Sequence, residues 1–517
     1  MATSIFVRKS VADAEREVSH AGGLKRSLGK WHLTALGVGA TIGAGIFATT
    51  GTAIVGDAAR PGAGPAIVFS FLLTAVACGF AALCYAEFAA MVPIAGSAYT
   101  YAYTSIGEFV AWIIGWDLIV EYAVGNIGVA IGWSGHFKEL MTHFGVHIPA
   151  WLATDYRSAH DAFVALGTGA NDPTTQYLAS AWSGAPHIGS LPVIFNLPAF
   201  AVVAVLTVIL VIGIKESANS NNAMVLLKIG IIIFFLCVGA FLIRPENYNN
   251  PATGGFAPNG FKGVSAAAAI IFFSYIGFDA VSTAAEEAKN PARDMPFGII
   301  MSLIICTVLY ILLSIVMTGI APWQQLGTPE PMITALQFAQ GPPGLLNFSR
   351  FIIALGAVAA MGSVLLVFQL GQPRIFFSMS RDGLLPKAFS KVHPKYRTPY
   401  VGTILTGLFV ATFAAFANIA EVVDLTNIGT LFAFVLVSAG VIFLRRTDPD
   451  RPRPFRVPGV PFTPIISIVA CLYLMIQLPA VTWIRFGIWL AVGLVVYFMY
   501  GYKHSVLRNG GSRSPSA

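Results

Sequence analysis

Twelve runs of about 20 or more mainly apolar residues divide the chain. An α-helix of that length is needed to cross the hydrocarbon core of a bilayer. Only 11% of the residues are charged, against about 25% in soluble domains, which is too few to cover a water-exposed surface of this size. The sequence therefore predicts an all-α polytopic membrane protein with twelve transmembrane helices. The predicted spans are residues 31–54, 65–92, 106–135, 191–214, 217–243, 263–286, 297–321, 351–379, 401–417, 422–444, 460–478 and 483–502.

The positive charges lie mostly on one side of these spans. Of the 31 Lys and Arg residues, 23 fall in the tails and loops on the side of the termini, 7 fall on the opposite side, and one lies within a span. Such a bias marks the cytoplasmic side. We therefore expect a multi-pass cell-membrane protein with cytoplasmic tails at residues 1–30 and 503–517. The net charge of +7 then reflects topology, so we expect no nucleic-acid partner.

The longest loop between predicted spans, residues 136–190, lies on the outer side and is long enough for a small extracellular cap. The sequence leaves its role open. His143 and His147 lie four residues apart there, but Gly145 lies between them and no carboxylate completes a metal site. The five cysteines all lie in apolar runs without metal-ligand spacing. We therefore expect no metal and no cofactor.

Two of the predicted spans contain residues that interrupt a helix. Four glycines fall within the first span, in GVGATIGAGIF (37–47), and FFSYIGFDAV (272–281) interrupts the sixth span more weakly. Each of these spans begins a block of five, and a second block of five must start on the opposite face. Residues 31–243 and 263–444 are therefore expected to form an inverted repeat, followed by two extra helices at 460–502. Unwound backbone is tolerated at membrane depth only where it is buried or lines a cavity, so the breaks predict a binding site.

The ends of broken helices have a defined chemistry. The half-helix that restarts after Gly45 presents free N–H groups and a positive dipole end, which suit a carboxylate. The carbonyls freed around residues 273–276 suit an ammonium group. A ligand that carries both groups one carbon apart is an α-amino acid. The alternative is that the glycines only serve helix packing, because Gly39 and Gly43 have the four-residue spacing of small-residue contacts.

Lys228 lies inside the fifth span, roughly 18 Å and 24 Å from its two ends. Its side chain cannot reach water from that depth, and an intramembrane charge costs upward of about 2.5 kcal/mol. Burial favours the neutral amine, whereas carbonyl oxygens favour the ammonium, so such a group can exchange protons near neutral pH. The competing interpretation is a static ion pair with Asp117, Glu121 or Asp279.

Four stretches resemble the amino acid-polyamine-organocation superfamily, in particular its bacterial members similar to the cationic amino acid transporters. They are GVGATIGAGIF (37–47), YAEFAAMVPIAGSAYTY (85–101), FFSYIGFDAVSTAAEEAKNP (272–291) and RIFFSMSRDGLLP (374–386). The resemblance implies the LeuT-type fold, with ten core helices in two inverted halves. It also implies that the substrate carboxylate is held at one break, its amine at the other, and a coupling proton on the lysine. The implied residues are Ile42, Gly43, Ala44 and Gly45 for the carboxylate, Phe273, Ser274 and Ile276 for the amine, and Lys228 for the proton.

The resemblance implies a proton-coupled secondary active transporter that works by alternating access between the two sides of the lipid bilayer. The sequence has no ATP-binding motif, no nucleophile elbow and no metal cluster, so we expect no enzyme and no primary pump. A channel is disfavoured because no repeated pore loop occurs. An amino acid-binding membrane sensor without flux stays open, as do the oligomeric state and a small accessory subunit.

The expected substrates are small neutral amino acids. The cationic branch of the superfamily has two further C-terminal helices, and this chain stops after twelve. The alternative is a transporter or exchanger of arginine and lysine, for which Glu121 is the candidate acid near the side-chain pocket. Asp279 is a second candidate for a pocket or gating role.

Overall fold

The computed structural model describes residues 5–9, 27–57, 59–92, 97–169, 173–213 and 218–509. An apolar helix lies in each predicted span, and we number these helices α1 to α12. Nine of them, within the described residues, are long and apolar enough to cross a membrane, and α4, α9 and α11 are shorter. The chain is therefore a multi-pass helical protein, while the twelve-crossing arrangement stays a prediction. The helices are Lys30–Val55 (α1), Gly64–Met91 (α2), Glu108–His143 (α3), Leu197–Ile212 (α4), Ala218–Ala240 (α5), Gly260–Ser282 (α6), Pro291–Ile320 (α7), Pro343–Arg381 (α8), Tyr400–Phe416 (α9), Ile419–Thr447 (α10), Phe462–Ile476 (α11) and Ala480–His504 (α12).

Three helices form the centre of the bundle. In the most apolar 18 residues of each helix, all residues of α6 are buried inside the protein, and 89% of those of α1 and α3 are. In α12 the share is only 22%. The central helices α1 and α6 pack on each other, and among their other neighbours α1 packs against α5 and α7, α6 against α2 and α10, and α3 against α8 and α10. Further pairs are α5 with α8 and α4 with α9. Residues that interrupt α1 or α6 are thus enclosed by protein and not by lipid.

Both described chain ends lie on the same face of the bundle. The Glu108 N–H, at the start of α3, donates a hydrogen bond to the Val7 carbonyl at 3.0 Å. The Lys9 ammonium donates to Asp382 at 3.0 Å, and the Val506 N–H donates to the Asp382 carbonyl, also at 3.0 Å. We call this the terminal face. Much of the predicted tail 1–30 and the last eight residues of the tail 503–517 lie outside the described residues.

The opposite face carries a small folded cap, and we call it the capped face. Here α3 continues to His143, eight residues beyond its predicted end, so the loop 136–190 begins as helix. Helices Tyr156–Gly167 and Pro173–Gly184 and an antiparallel hairpin of His187–Ile188 with Leu191–Pro192 follow. Within the described residues no group of three or more His, Cys, Asp or Glu side chains is placed to hold a metal ion. The role of the cap stays open.

Candidate functional site

The break predicted in α1 is present. The regular α-helix Lys30–Thr41 ends where Ile42 adopts an extended conformation, with ψ at 98°. A five-residue π-helical turn, Gly45–Thr49, starts the second half, and Thr50–Val55 completes it as α-helix. The first N–H groups of such a half-helix have no acceptor within the helix. Of the predicted segment Ile42 to Gly45, the Ile42 N–H still donates to the Val38 carbonyl at 2.9 Å, so the positively polarised backbone that faces the gap is that of Gly43 to Gly45.

The break predicted in α6 is also present, in a different form. The α-helix Gly260–Ile271 tightens into the 3₁₀ turn Phe272–Tyr275, and Ile276 is then extended with ψ at 132°. Gly277 follows with φ at 120°, a value that L side chains rarely adopt. The Ser274 hydroxyl is fully buried, and no described residue forms a hydrogen bond with it. Carbonyls freed from the helix, together with this hydroxyl, line the second break.

The two breaks lie directly against each other. A Cβ atom built on Gly45 would lie only 2.3 Å from the Cα atom of Ser274, and one on Gly277 only 2.8 Å from the Ala40 carbonyl carbon. No side chain larger than hydrogen fits at either position without moving backbone. The structure thus brings together the two predicted segments, Ile42 to Gly45 and Phe273 to Ile276, over more than 220 residues of sequence. Helix ends of opposite polarity meet at the centre of the molecule.

A glycine face on α3 borders the breaks, which the sequence interpretation missed. Gly125, Gly128 and Gly132 have helical spacing and share one side of α3. A Cβ built on Gly128 would lie 3.3 Å from the Phe273 ring, and one on Gly132 would lie 3.0 Å from Ala48 Cβ. The signal was present in the stretch GNIGVAIG, but what a glycine face packs against is decided by tertiary contacts.

The remaining wall of the site is mainly apolar, with the Thr426 hydroxyl of α10 as a polar group 3.8 Å from the Cβ position of Gly125. Val364 Cγ2 of α8 would lie 3.0 Å from a Cβ on Gly43, and Met361 Sδ lies 3.6 Å from the Cβ position of Gly132. Phe368 of α8 and Val422 of α10 reach the Cβ positions of Gly125 and Gly128 at 3.5 Å and 3.4 Å. The neighbourhood of the breaks therefore offers backbone polarity at its centre and hydrocarbon around it.

Lys228 is fully buried and reaches α1 from α5. Its ammonium donates a hydrogen bond to the Gly39 carbonyl at 2.5 Å, one turn before the break. Within the described residues Lys228 forms no ion pair with Asp117, Glu121 or Asp279, and its hydrogen bond goes to a backbone carbonyl instead. Tyr310 of α7 donates to the Thr41 carbonyl at 3.1 Å. Two side chains thus hold the first half of α1 by its backbone.

Glu121 and Asp279 lie next to each other, one helix turn from the glycine face. Glu121 belongs to a π-helical turn of α3, Val120–Val124, and interacts with Asp279 and with Thr430 of α10. π-Helical turns are frequent at functional sites. Both acids are buried, and the structure separates them from Lys228, which bonds to Gly39 instead.

Backbone contacts on the terminal face tie α1 to the segment after α6. The N–H groups of Ser27 and Leu28 both donate to the Glu287 carbonyl at 2.9 Å, and the Lys289 N–H donates to the Leu28 carbonyl at 2.8 Å. These bonds couple the terminal-face ends of the two broken helices. A displacement of one on that face is therefore transmitted to the other.

An ion cluster beyond the capped-face end of α1 was not identified from the sequence, where Arg60 counted only as a loop charge. Its guanidinium, only 7% exposed, contacts Asp424 of α10 at 2.7 Å and Asp57 at 2.6 Å. The cluster links the second half of α1 to α10 on that face.

Comparison of the sequence with known proteins identifies the family of the chain. A family model described as "Amino acid permease" matches residues 28–500. The chain is 45% identical over 508 residues to a branched-chain amino acid permease of Bacillus subtilis, covering 98% of this chain and 100% of that one. It is 44% identical over 506 residues to the methylthioribose transporter of the same organism, covering 98% and 99%. A vacuolar cationic amino acid transporter of Arabidopsis thaliana is 37% identical over 448 residues, covering 86% and 64%. The predicted resemblance is confirmed, and the chain belongs to the amino acid permease family of the amino acid-polyamine-organocation superfamily.

Proposed function

We propose that this protein is a secondary active transporter that carries neutral aliphatic amino acids across the cell membrane by alternating access, driven by protons. The observation that carries the proposal is the contact between the two broken helices, where Gly45 meets Ser274 at the centre of the bundle. A zwitterion bound between helix ends of opposite polarity needs no charged side chain to hold it. The protein acts as a permease and not as an enzyme.

The substrate's carboxylate binds the N–H groups of Gly43, Ala44 and Gly45, next to Ile42, whose own N–H donates to the Val38 carbonyl at 2.9 Å. Its ammonium group binds the carbonyls of Phe273, Ser274 and Ile276. The unpartnered Ser274 hydroxyl supports a polar ligand there, because a buried hydroxyl without a partner is costly. The substrate's side chain then points toward the apolar wall.

The helix packing supports a LeuT-type inverted repeat of twelve crossings. In an inverted repeat, helices α1 to α5 correspond in order to α6 to α10. Replacing each helix by its counterpart turns the pair α1–α7 into α6–α2, and the pair α5–α1 into α10–α6. It also turns α5–α8 into α10–α3, whereas α3–α8 and α4–α9 map onto themselves. Every one of these pairs packs in the structure. This is the pattern expected of two halves related by a pseudo-two-fold axis in the membrane plane, with the terminal face in the cytoplasm.

The wall favours a neutral substrate with a branched or aliphatic side chain. Val364, Phe368 and Val422 supply hydrocarbon, and the glycine face of α3 leaves room beside Phe273. The name of the Bacillus subtilis branched-chain permease points to the same class. A cationic substrate is the second candidate, favoured by the buried acids Glu121 and Asp279 next to the glycine face. Methylthioribose has neither a carboxylate nor an ammonium, so it would leave both helix ends unused.

Lys228 couples transport to protons. As an ammonium it binds the Gly39 carbonyl and holds the first half of α1 against α5. As a neutral amine it loses most of that attraction, which frees α1, together with α6, to move against α3 and α8. The proton thus changes the relative stability of two arrangements of the same helices.

Uptake into proteoliposomes tests the proposal. Labelled leucine should enter saturably, faster when the side of entry is acidic relative to the other, and should exchange with unlabelled leucine. Valine and isoleucine should compete better than lysine, arginine or methylthioribose. Binding of leucine without any flux would instead assign the protein as a sensor, and preferential competition by arginine would select the cationic alternative.

A further inference from the structure

A second group of buried ionisable side chains lies outside the site described above, at the capped-face end of α3. His136 is fully buried, and its Nδ1 lies 3.1 Å from the Gly132 carbonyl. Since a carbonyl only accepts, Nδ1 must carry the hydrogen, and in the neutral ring the Nε2 atom is then a free acceptor. This Nε2 is buried and has no hydrogen-bond partner among the residues that the structure describes. A basic nitrogen is therefore held free for a proton.

A carboxylate with a free oxygen faces the same place. Glu330 begins the short helix Pro331–Phe338 in the loop between α7 and α8. Its Oε2 is buried, has no hydrogen-bond partner in the described part of the chain, and lies 3.1 Å from the Cβ position of Gly135, the residue before His136. Its other oxygen, Oε1, lies 3.9 Å from the Lys138 ammonium. Among the described residues, Oε1 of the carboxylate thus lies near a cation and Oε2 does not.

The charged groups around His136 can be named from every element that packs on it. Burial has the largest effect on the imidazole and favours its neutral form; among the charged groups Glu330 on the α7–α8 loop favours the imidazolium most, followed by Glu139, whereas Lys138 on α3 opposes it. Glu139 is already paired with Arg350 of α8 at 2.8 Å. From α1 the neighbour is the Phe47 ring, 6.1 Å from the imidazole between ring centres and nearly perpendicular to it. Of the two acids near His136, Glu330 is thus the one with a carboxylate oxygen that no described residue pairs with.

His136 and the loop that carries Glu330 both pack against the half of α1 that follows the break. Phe47 belongs to the turn Gly45–Thr49, and a Cβ built on Gly132 would lie 3.0 Å from Ala48 Cβ. The loop that carries Glu330 also packs on this half, since a Cβ on Gly51 would lie 2.2 Å from the Leu326 carbonyl oxygen. A change in attraction between His136 and Glu330 therefore acts on α1 above the predicted carboxylate subsite.

We propose that His136 and Glu330 form a second proton-binding site, which takes its proton from water on the capped face and closes that face over a bound substrate. A hydronium ion gives its proton to the Nε2 lone pair and leaves as water. The imidazolium then pairs with the free Glu330 oxygen and holds the α7–α8 loop against α3 and α1. The role in transport rests on the proposed function, with Lys228 as the separate coupling group.

The test is the pH profile of leucine exchange in proteoliposomes with equal pH on both sides, between about pH 5.5 and 8, the range in which histidine titrates. Exchange by the unmodified protein should rise about fivefold toward the acid end, as expected of an ordinary coupling free energy. His136→Asn keeps an N–H for the Gly132 carbonyl but lacks Nε2, and Glu330→Gln keeps the shape without the charge. Both should remove the rise.

His143→Asn is the matched control, because His143 also lies on α3 with its Nδ1 3.0 Å from the carbonyl four residues earlier, but is exposed. It should keep the rise. A rise that persists in His136→Asn or Glu330→Gln overturns the second proton site, and Glu330→Gln decides the matter if His136→Asn fails to fold. A proton gradient applied to the unmodified protein tests the proposed function separately, because absent stimulation overturns the coupling whatever the exchange profile shows.

Discussion

Within the described residues the ammonium of Lys228 donates one hydrogen bond, to a backbone carbonyl. A substitution can therefore remove the charge and keep the packing of the side chain. Methionine has a side chain of similar length and no charge, so Lys228→Met should preserve the fold. We expect it to abolish stimulation of leucine uptake by a proton gradient while leucine–leucine exchange continues. Lys262→Met, at an exposed lysine near the start of α6, is the control and should keep normal stimulation. Gradient-driven uptake that is unchanged in Lys228→Met would remove the lysine from the mechanism.

Gly45 is the residue at which the two breaks meet, so it tests whether the glycines do more than pack helices. Gly45→Ala places a methyl group 2.3 Å from Ser274 Cα and must push the breaks apart. We expect leucine affinity, measured by equilibrium binding, to fall about tenfold or more, because overpacking of this kind costs about 1–3 kcal/mol. Gly79→Ala in α2, where no other part of the described structure comes within 4 Å of the Cβ position, should bind normally. Normal affinity in Gly45→Ala would return the glycines to a packing role.

At the scale of one element, the glycine face of α3 sets the size of the substrate's side chain. Gly128→Ala brings a methyl group 3.3 Å from the Phe273 ring and narrows the space beside it. Leucine uptake should lose about tenfold in kcat/KM relative to alanine uptake, since about one methylene of pocket space is removed. Gly230→Ala in α5, with an open Cβ position, should leave the ratio unchanged. An equal loss for both substrates would place the glycine face away from the substrate's side chain.

For the whole molecule, the testable property is which face lies outside the cell. Ile188, at the tip of the cap hairpin, is 77% exposed, and Lys395 lies exposed in the loop between α8 and α9. In intact cells a membrane-impermeant maleimide should label Ile188→Cys, whereas Lys395→Cys should react only after permeabilisation. The unmodified chain, in which four of five cysteines are buried, gives the background. The reverse pattern would invert the predicted orientation.

Features set by a single stretch of chain were predictable from the sequence. Every predicted span contains an apolar helix, and the glycines of GVGATIGAGIF mark the position where α1 is interrupted. Lipid cannot satisfy backbone polar groups, so the length of an apolar run dictates a helix, and local glycines dictate where it breaks. The complete burial of Lys228 also follows from its depth in the span.

The choice of neighbours was decided only by the tertiary structure. The local sequence does not show whether Lys228 pairs with the Gly39 carbonyl or with an acidic side chain. It also does not show that Glu330 lies near His136, almost 200 residues away in the chain. Lipid is as apolar as the side chains it touches, so burial does not rank one helix pairing over another, and close packing at small residues does. The sequence by itself determined where the membrane helices run and break, and the fit of glycine faces against backbone decided which breaks meet.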